Sequence, residues 1–203
     1  MTMKINKYEH TGIDKYRIYL DNGEIIDTYN DVILENNLLL KKELDETLYQ
    51  KIIEQTKIEE NYIKARKYIE YRIRSTKEIK DYLKKNNIDN NTIDLIIEKL
   101  NKNNYLDDDR FCKSFINDKL KFTKTGEYKI ITELKRNEIP EDIIDKYNYL
   151  MNEEVMTERI NKIIDKYIKI SKDKSKLRNK IYNNLVRLGY NIDTIIHILN
   201  ERL

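Results

Sequence analysis

Apolar side chains in this 203-residue chain fall mostly three and four residues apart, the spacing of amphipathic helices. That helical pattern itself repeats. Residues 79–83 read IKDYL, 130–134 read IITEL and 181–185 read IYNNL. Ile79, Ile130 and Ile181 are separated by 51 residues, as are Leu83, Leu134 and Leu185. Five residues beyond each leucine stands another apolar residue, Ile88, Ile139 or Tyr190, and an isoleucine follows (Ile93, Ile143, Ile195). A fixed period of this length marks tandem supersecondary units, none able to bury its apolar face alone. Three helical repeats are therefore expected.

The first 60 residues follow another pattern. Tyr16 to Leu20 alternates, Asn22-Gly23 is suited to supply the two positive-φ residues of a type I′ turn, and Glu24 to Tyr29 returns, which predicts a hairpin. Lys4–Glu9 is a candidate third strand. Residues 31–60 are expected to be helical with a break at Asn36-Asn37, and Asp45 is placed to cap a second helix, with Leu44 and Tyr49 as its apolar staple. The fold class is thus mainly α: three tandem three-helix repeats preceded by a small β-hairpin or sheet and helices. The expected division is 1–60, then repeats 61–106, 107–152 and 153–203.

Within the repeats, helix ends are marked. Ser75-Thr76-Lys77-Glu78 is a capping box, Asp89 begins the next helix, and Lys124-Thr125-Gly126 precedes the middle helix of the second repeat. Pro140 suits a helix start, Gly189 a helix end, and Lys172 to Lys176 a basic turn.

Composition narrows the class. Only four Gly and one Pro punctuate the chain, which favours helix, and 37% of residues are charged. No run of about 18 apolar residues exists and the first residues lack the apolar stretch of a secretory signal, so a cytoplasmic monomer is expected. Cys112 has no disulfide partner and is read as a buried small side chain. Net charge is +3, yet it is unevenly laid out: −5 over residues 1–60 and +8 over 61–203. Inside the repeats it alternates, +6 over 61–85, −4 over 86–109, +5 over 110–136, −6 over 137–158, +8 over 159–187 and −1 over 188–203. The alternation keeps step with the repeat.

Catalytic signatures are missing from the sequence. It holds no phosphate-binding glycine loop, HExxH or CxxC, and its two histidines, His10 and His197, lie far apart. No enzyme activity, cofactor or metal is expected. Asp107-Asp108-Asp109 is better suited to a helix start than to a metal, because consecutive helix positions point about 100° apart. Asp107 is the candidate cap, with Leu106 and Phe111 as the staple pair.

Three stretches, YIKARKYIEYRIRS (62–75), NYLDDDRFC (104–112) and KTGEYKIITELKRNEI (124–139), together resemble the RecX family of bacterial recombinase regulators. Arg72, Arg74 and Ser75 match its R-x-R-S-type segment, with Ile73 where proline is common. Tyr105, Leu106, Asp107, Asp108, Arg110 and Phe111 match its G-Y-[LI]-[DN]-D-x-[RK]-[FY] motif, with Asn104 in place of glycine. Gly126, Ile130, Glu133 and Leu134 match the third segment. The resemblance implies a right-handed or curved array of three-helix repeats. It implies binding to the RecA recombinase filament on single-stranded DNA, and inhibition of the filament's ATPase, strand exchange and co-protease activities in DNA repair and the SOS response. It implies no catalytic residue and no cofactor.

The charge pattern supplies candidate contacts for such a partner. They are Lys64, Arg66, Lys67, Arg72 and Arg74 in the first repeat, Lys119, Lys121, Lys124 and Arg136 in the second, and Lys172, Lys174, Lys176, Arg178 and Lys180 in the third. If equivalent helices align, these residues form a basic ribbon facing DNA phosphate or acidic walls of the filament, with binding that falls steeply as salt rises. The competing expectation is a helix-turn-helix regulator of duplex DNA, against which stand the absent small-residue turn and dimerisation element.

Overall fold

A computed structural model describes residues 2–170 and 176–203. The chain divides into two compact units, residues 1–72 with 79–105, and residues 73–78 with 106–203.

In the first unit, β1 (Thr2–Gly12), β2 (Lys15–Leu20), β3 (Ile25–Tyr29) and β4 (Glu43–Asp45) form an antiparallel sheet in the order β3-β2-β1-β4. The expected third strand is present, longer than the sequence suggested. The turn at Asn22-Gly23 differs from the type I′ expectation, since Gly23 alone has positive φ (+86°). The Gly23 N–H donates to the Leu20 carbonyl and the Leu20 N–H to Glu24, the pattern of a three-residue loop with a glycine bulge. Asn22 instead uses its side chain, accepting from the Glu24 N–H at 3.0 Å.

The short helix α1 (Asn30–Glu35) stops at Asn36, and Asn37 takes a left-handed φ of 50° before a 3-10 turn over Leu38–Leu40. The 25-residue α2 (Glu46–Glu70) starts where Asp45 accepts the Leu48 N–H at 2.7 Å. One face of the sheet closes over Ile18, Leu20, Ile26, Val32, Ile33, Leu38, Leu44 and Ile52. The helix runs unbroken past residue 60, so one element serves both the sheet and the first repeat.

The remaining helices are α3 (Thr76–Lys85), α4 (Asn90–Lys102), α5 (Asp108–Phe122), α6 (Glu127–Arg136), α7 (Glu141–Lys146), α8 (Glu153–Ile170), α9 (Leu177–Leu188) and α10 (Ile192–Arg202). The repeat is visible in the backbone. Asn87, Glu138 and Gly189, each 51 residues from the next, are the left-handed residues (φ 60°, 56° and 86°) after α3, α6 and α9. At each, the following amide reaches back to the buried leucine: Ile88 to Leu83, Ile139 to Leu134, Tyr190 to Leu185. This is a Schellman ending made three times with three different residues. Next comes the helix start, at Asp89, Pro140 and Asn191, again 51 apart. The isoleucine match needs one correction: Ile144, not Ile143, is the buried equivalent of Ile93 and Ile195, which restores the exact period. Ile143 is only half-buried because it sits one helical position, about 100°, away.

The second unit buries one continuous core from Phe111, Cys112 and Ile116 through Ile130 and Leu134 to Ile160, Ile181 and Ile195. Cys112 is fully buried, as expected, and burial pushes its thiol up to about 11.

Candidate functional site

The Asp107–Phe111 stretch is a joint. Asn104 ends α4 at φ 56°, a conformation glycine adopts freely and asparagine tolerates, with the Tyr105 N–H returning to the Leu100 carbonyl. Asp107 caps α5, accepting the Arg110 N–H at 2.9 Å. The next two carboxylates take separate partners. Asp108 accepts the Thr76 N–H at 2.8 Å, at the first turn of α3. Asp109 takes Lys146 and the Tyr147 hydroxyl at 2.6 Å each, at the end of α7. These bonds, Lys146 foremost, hold the Asp109 carboxyl below the ordinary carboxylate range. Three adjacent acids thus face three directions, and among the described residues no acidic, histidine or cysteine cluster is arranged for a metal ion.

A second joint repeats inside the second unit. Ser75 and Glu78 exchange their capping-box bonds at 3.1 and 3.2 Å, and Ser75 Oγ also donates to Asn137 beside the left-handed Glu138. One period later Gly126 starts α6, its N–H donating to Leu188 at 2.8 Å, while the Tyr128 N–H donates to Gly189 at 3.0 Å. A Cβ on Gly126 would lie 2.5 Å from the Gly189 backbone. The first two middle helices, α3 and α6, therefore each start against the Schellman turn one repeat further on.

The fold sorts the basic candidates by partner. Lys64 pairs with Glu60 at 2.8 Å, and Arg66 lies 4.0 Å from Glu70 and 5.9 Å from the Tyr105 ring. Arg74 is largely buried beside Glu78, and Lys119 pairs with Glu133. Arg178 donates to the Leu199 carbonyl at 2.7 Å and to the Asn200 side chain, closing the end of α10. These five are engaged within the protein. Lys67, Lys121, Lys124, Arg136, Lys176 and Lys180 are exposed, and no carboxylate among the described residues lies within ion-pair distance of them. Arg72 is also exposed. Lys172 and Lys174 lie outside the described residues. Lys121 and Arg136 stand in the last turns of α5 and α6, where a cation is favoured by the helix dipole.

Two polar features were not foreseen. The Arg159 guanidinium donates to the carbonyls of Leu120, Thr123 (2.9 Å) and Thr125 (3.2 Å), satisfying the end of α5 from a helix 36 residues away. By sequence its charge belongs to the basic segment 159–187; only the open carbonyls of a loop without a Schellman glycine hint at its role. In the first unit, Lys99 bridges Glu59 and Asp31, with its ammonium 4.6 Å from the centre of the Tyr62 ring. Burial pushes the Glu59 carboxyl up, against the pull of Lys99.

The chain matches two family models in series. Residues 62–100 match the first three-helix domain of RecX, and residues 107–147 match its second. The regulatory protein RecX of Bacillus licheniformis is 29% identical over 192 residues, which covers 93% of this chain and 72% of that one. That of Clostridium tetani is 28% identical over 215 residues, covering 100% and 97%. Among solved structures, a regulatory protein RecX superposes with a TM-score of 0.84 at 22% identity, covering 98% of this chain and 100% of the other. RecX from Lactobacillus salivarius gives 0.59 at 25% identity, over 71% and 95%. Two consecutive stretches that match RecX domains, separated by the helix start at Asp107 and followed by a third repeat in the same register, make this chain similar to the RecX family.

Proposed function

We propose that this protein is a cytoplasmic, non-enzymatic regulator that binds the RecA filament on single-stranded DNA. It lowers the filament's ATPase, strand-exchange and co-protease activities in DNA repair and the SOS response. The observation that carries the reading is the pair of RecX domains in series, in a chain whose relatives are named regulatory proteins. The charge layout supports it. The cations without a carboxylate partner among the described residues, Lys67, Lys121, Lys124, Arg136, Lys176 and Lys180, recur in each repeat and present themselves to a polyanion. Side chains already engaged, such as Arg178 and Lys119, hold the helices that display them. The protein acts as a monomer whose repeats begin at residues 61, 107 and 153, the first of these bounds falling within the continuous α2.

The test is the single-stranded-DNA-dependent ATPase of RecA from the same organism, titrated with this protein. Inhibition well below one copy per RecA subunit supports blocked growth or promoted disassembly of the filament, and inhibition near stoichiometry supports lining of its groove. Full ATPase activity at saturating protein, together with tight binding to bare duplex, would replace this reading with a duplex-DNA regulator.

A further inference from the structure

The most exposed aromatic residues of the protein are Tyr71 (86%) and Phe122 (71%). They stand 51 residues apart, so they occupy one position of the repeat. Each closes the first helix of its unit: Tyr71 is the C-cap of α2 and Phe122 the last residue of α5. Burying an aromatic ring is among the largest apolar gains open to a chain, so a ring left in water twice at one register position is not explained by folding. The adjacent residues are charged rather than apolar, Glu70 and Arg72 beside Tyr71 and Lys121 beside Phe122. Lys67 lies one helical turn before Tyr71 and has no carboxylate partner among the described residues. Phe122 is flanked by Lys121 and Lys124, likewise without a carboxylate partner among the described residues, and the Lys121 ammonium sits 5.1 Å from the centre of its ring. At the corresponding position of the third repeat the residue is Asp173, so the pattern belongs to the first two.

From this coincidence we propose that Tyr71 and Phe122 are stacking platforms for unpaired bases of single-stranded nucleic acid, with the neighbouring lysines taking the phosphates. An exposed ring beside free ammonium groups matches a nucleotide, which offers a flat π face and a negative charge within a few ångströms. A protein surface would need apolar neighbours around the ring, and duplex DNA keeps its base faces covered. The proposal rests on the reading that the chain works on single-stranded DNA, and it adds that bases as well as phosphates are bound.

The experiment compares the full chain and three variants, Tyr71→Ala, Phe122→Ala and Phe122→Trp. Each is titrated with a 20-nucleotide oligothymidylate and with an abasic oligonucleotide of the same length. The expected result is that each alanine variant binds oligothymidylate about tenfold more weakly. Its affinity for the abasic strand, its salt slope and its melting temperature should stay unchanged. Phe122→Trp restores binding, and because the chain has no other Trp its fluorescence reports the stacked base directly by quenching. Equal affinity of the parent protein for both strands overturns the platform while leaving phosphate binding in place. Loss of ATPase inhibition in the alanine variants with oligonucleotide binding intact also overturns it, since the rings then meet protein. No binding to either strand overturns it as well, and the separate ATPase titration still decides the filament reading.

Discussion

At Gly126 a single hydrogen atom decides whether two repeats meet. The 2.5 Å gap that a Cβ would leave to the Gly189 backbone has no flexible side chain to yield, so the turn itself must move. Gly126→Ala is expected to destabilise the protein by about 2 kcal/mol, measured by urea denaturation, whereas Gly12→Ala, with open space around it, changes little. Glu138 has the opposite problem, a full side chain held at φ 56° where the third repeat has glycine. Glu138→Gly should raise stability by about 1 kcal/mol; no rise would mean that its contact with Lys77 at 3.7 Å outweighs the backbone strain. Cys112 is a thiol kept neutral by burial. In the native protein it should resist a thiol-specific reagent at pH 8 and react once denaturant is added. Its contribution to stability should be complete below the ordinary thiol value and fade as pH climbs toward about 11.

Among the elements, the α5 start carries the best-defined electrostatic tie. Asp109 joins α5 to α7 through Lys146 and Tyr147, and those bonds depress its carboxyl. A depressed acid stabilises the fold above its unfolded value and loses that effect as pH falls through the folded one. Asp109→Asn should therefore flatten the drop in melting temperature below about pH 4. Ser75→Ala removes the capping box and the bond to Asn137, at a cost of about 1 kcal/mol in chemical denaturation. The caps at Ser75, Asp89 and Asp107 were legible in the sequence because capping depends on residues within one helical turn. The 51-residue period was legible too, since one buried isoleucine and leucine must return at each unit. What local pattern did not reveal came from afar: Arg159 closing α5, and Gly126 meeting Gly189. Each is one half of a pair whose other half lies on a distant element. The Asn22-Gly23 turn was misread for a simpler reason, as loops of two and three residues can share the same residue types.

For the whole molecule, summed charge marks the basic segments but does not say which of their cations are open to a partner. Net charge by segment treats Arg178 and Lys180 alike, yet one guanidinium is spent on the end of α10 and the other side chain stands in solvent. Only folded geometry separates them. Changing Lys121, Lys124 and Arg136 together to Glu should reduce the steepness with which nucleic-acid or filament affinity falls with salt, by about 0.7 to 0.9 per lost phosphate contact, without lowering the melting temperature. The same change made at Lys119, Arg159 and Arg178 should instead unfold the second unit.

The joints between successive repeats also set a clock. Ser75 meets Asn137 across 62 residues, and Glu127 meets Asn191 across 64. On a ribosome adding about 5–20 residues per second, a freshly made middle helix waits roughly 3–12 s for the turn that will hold its first amides. During that interval the apolar face of Ile130, which shares its core with Ile181 and Ile195, depends on a segment not yet synthesised. Synonymous codons that slow elongation just after residue 85 or residue 136 would lengthen the wait, and nascent chains stalled there should be the ones that chaperones hold.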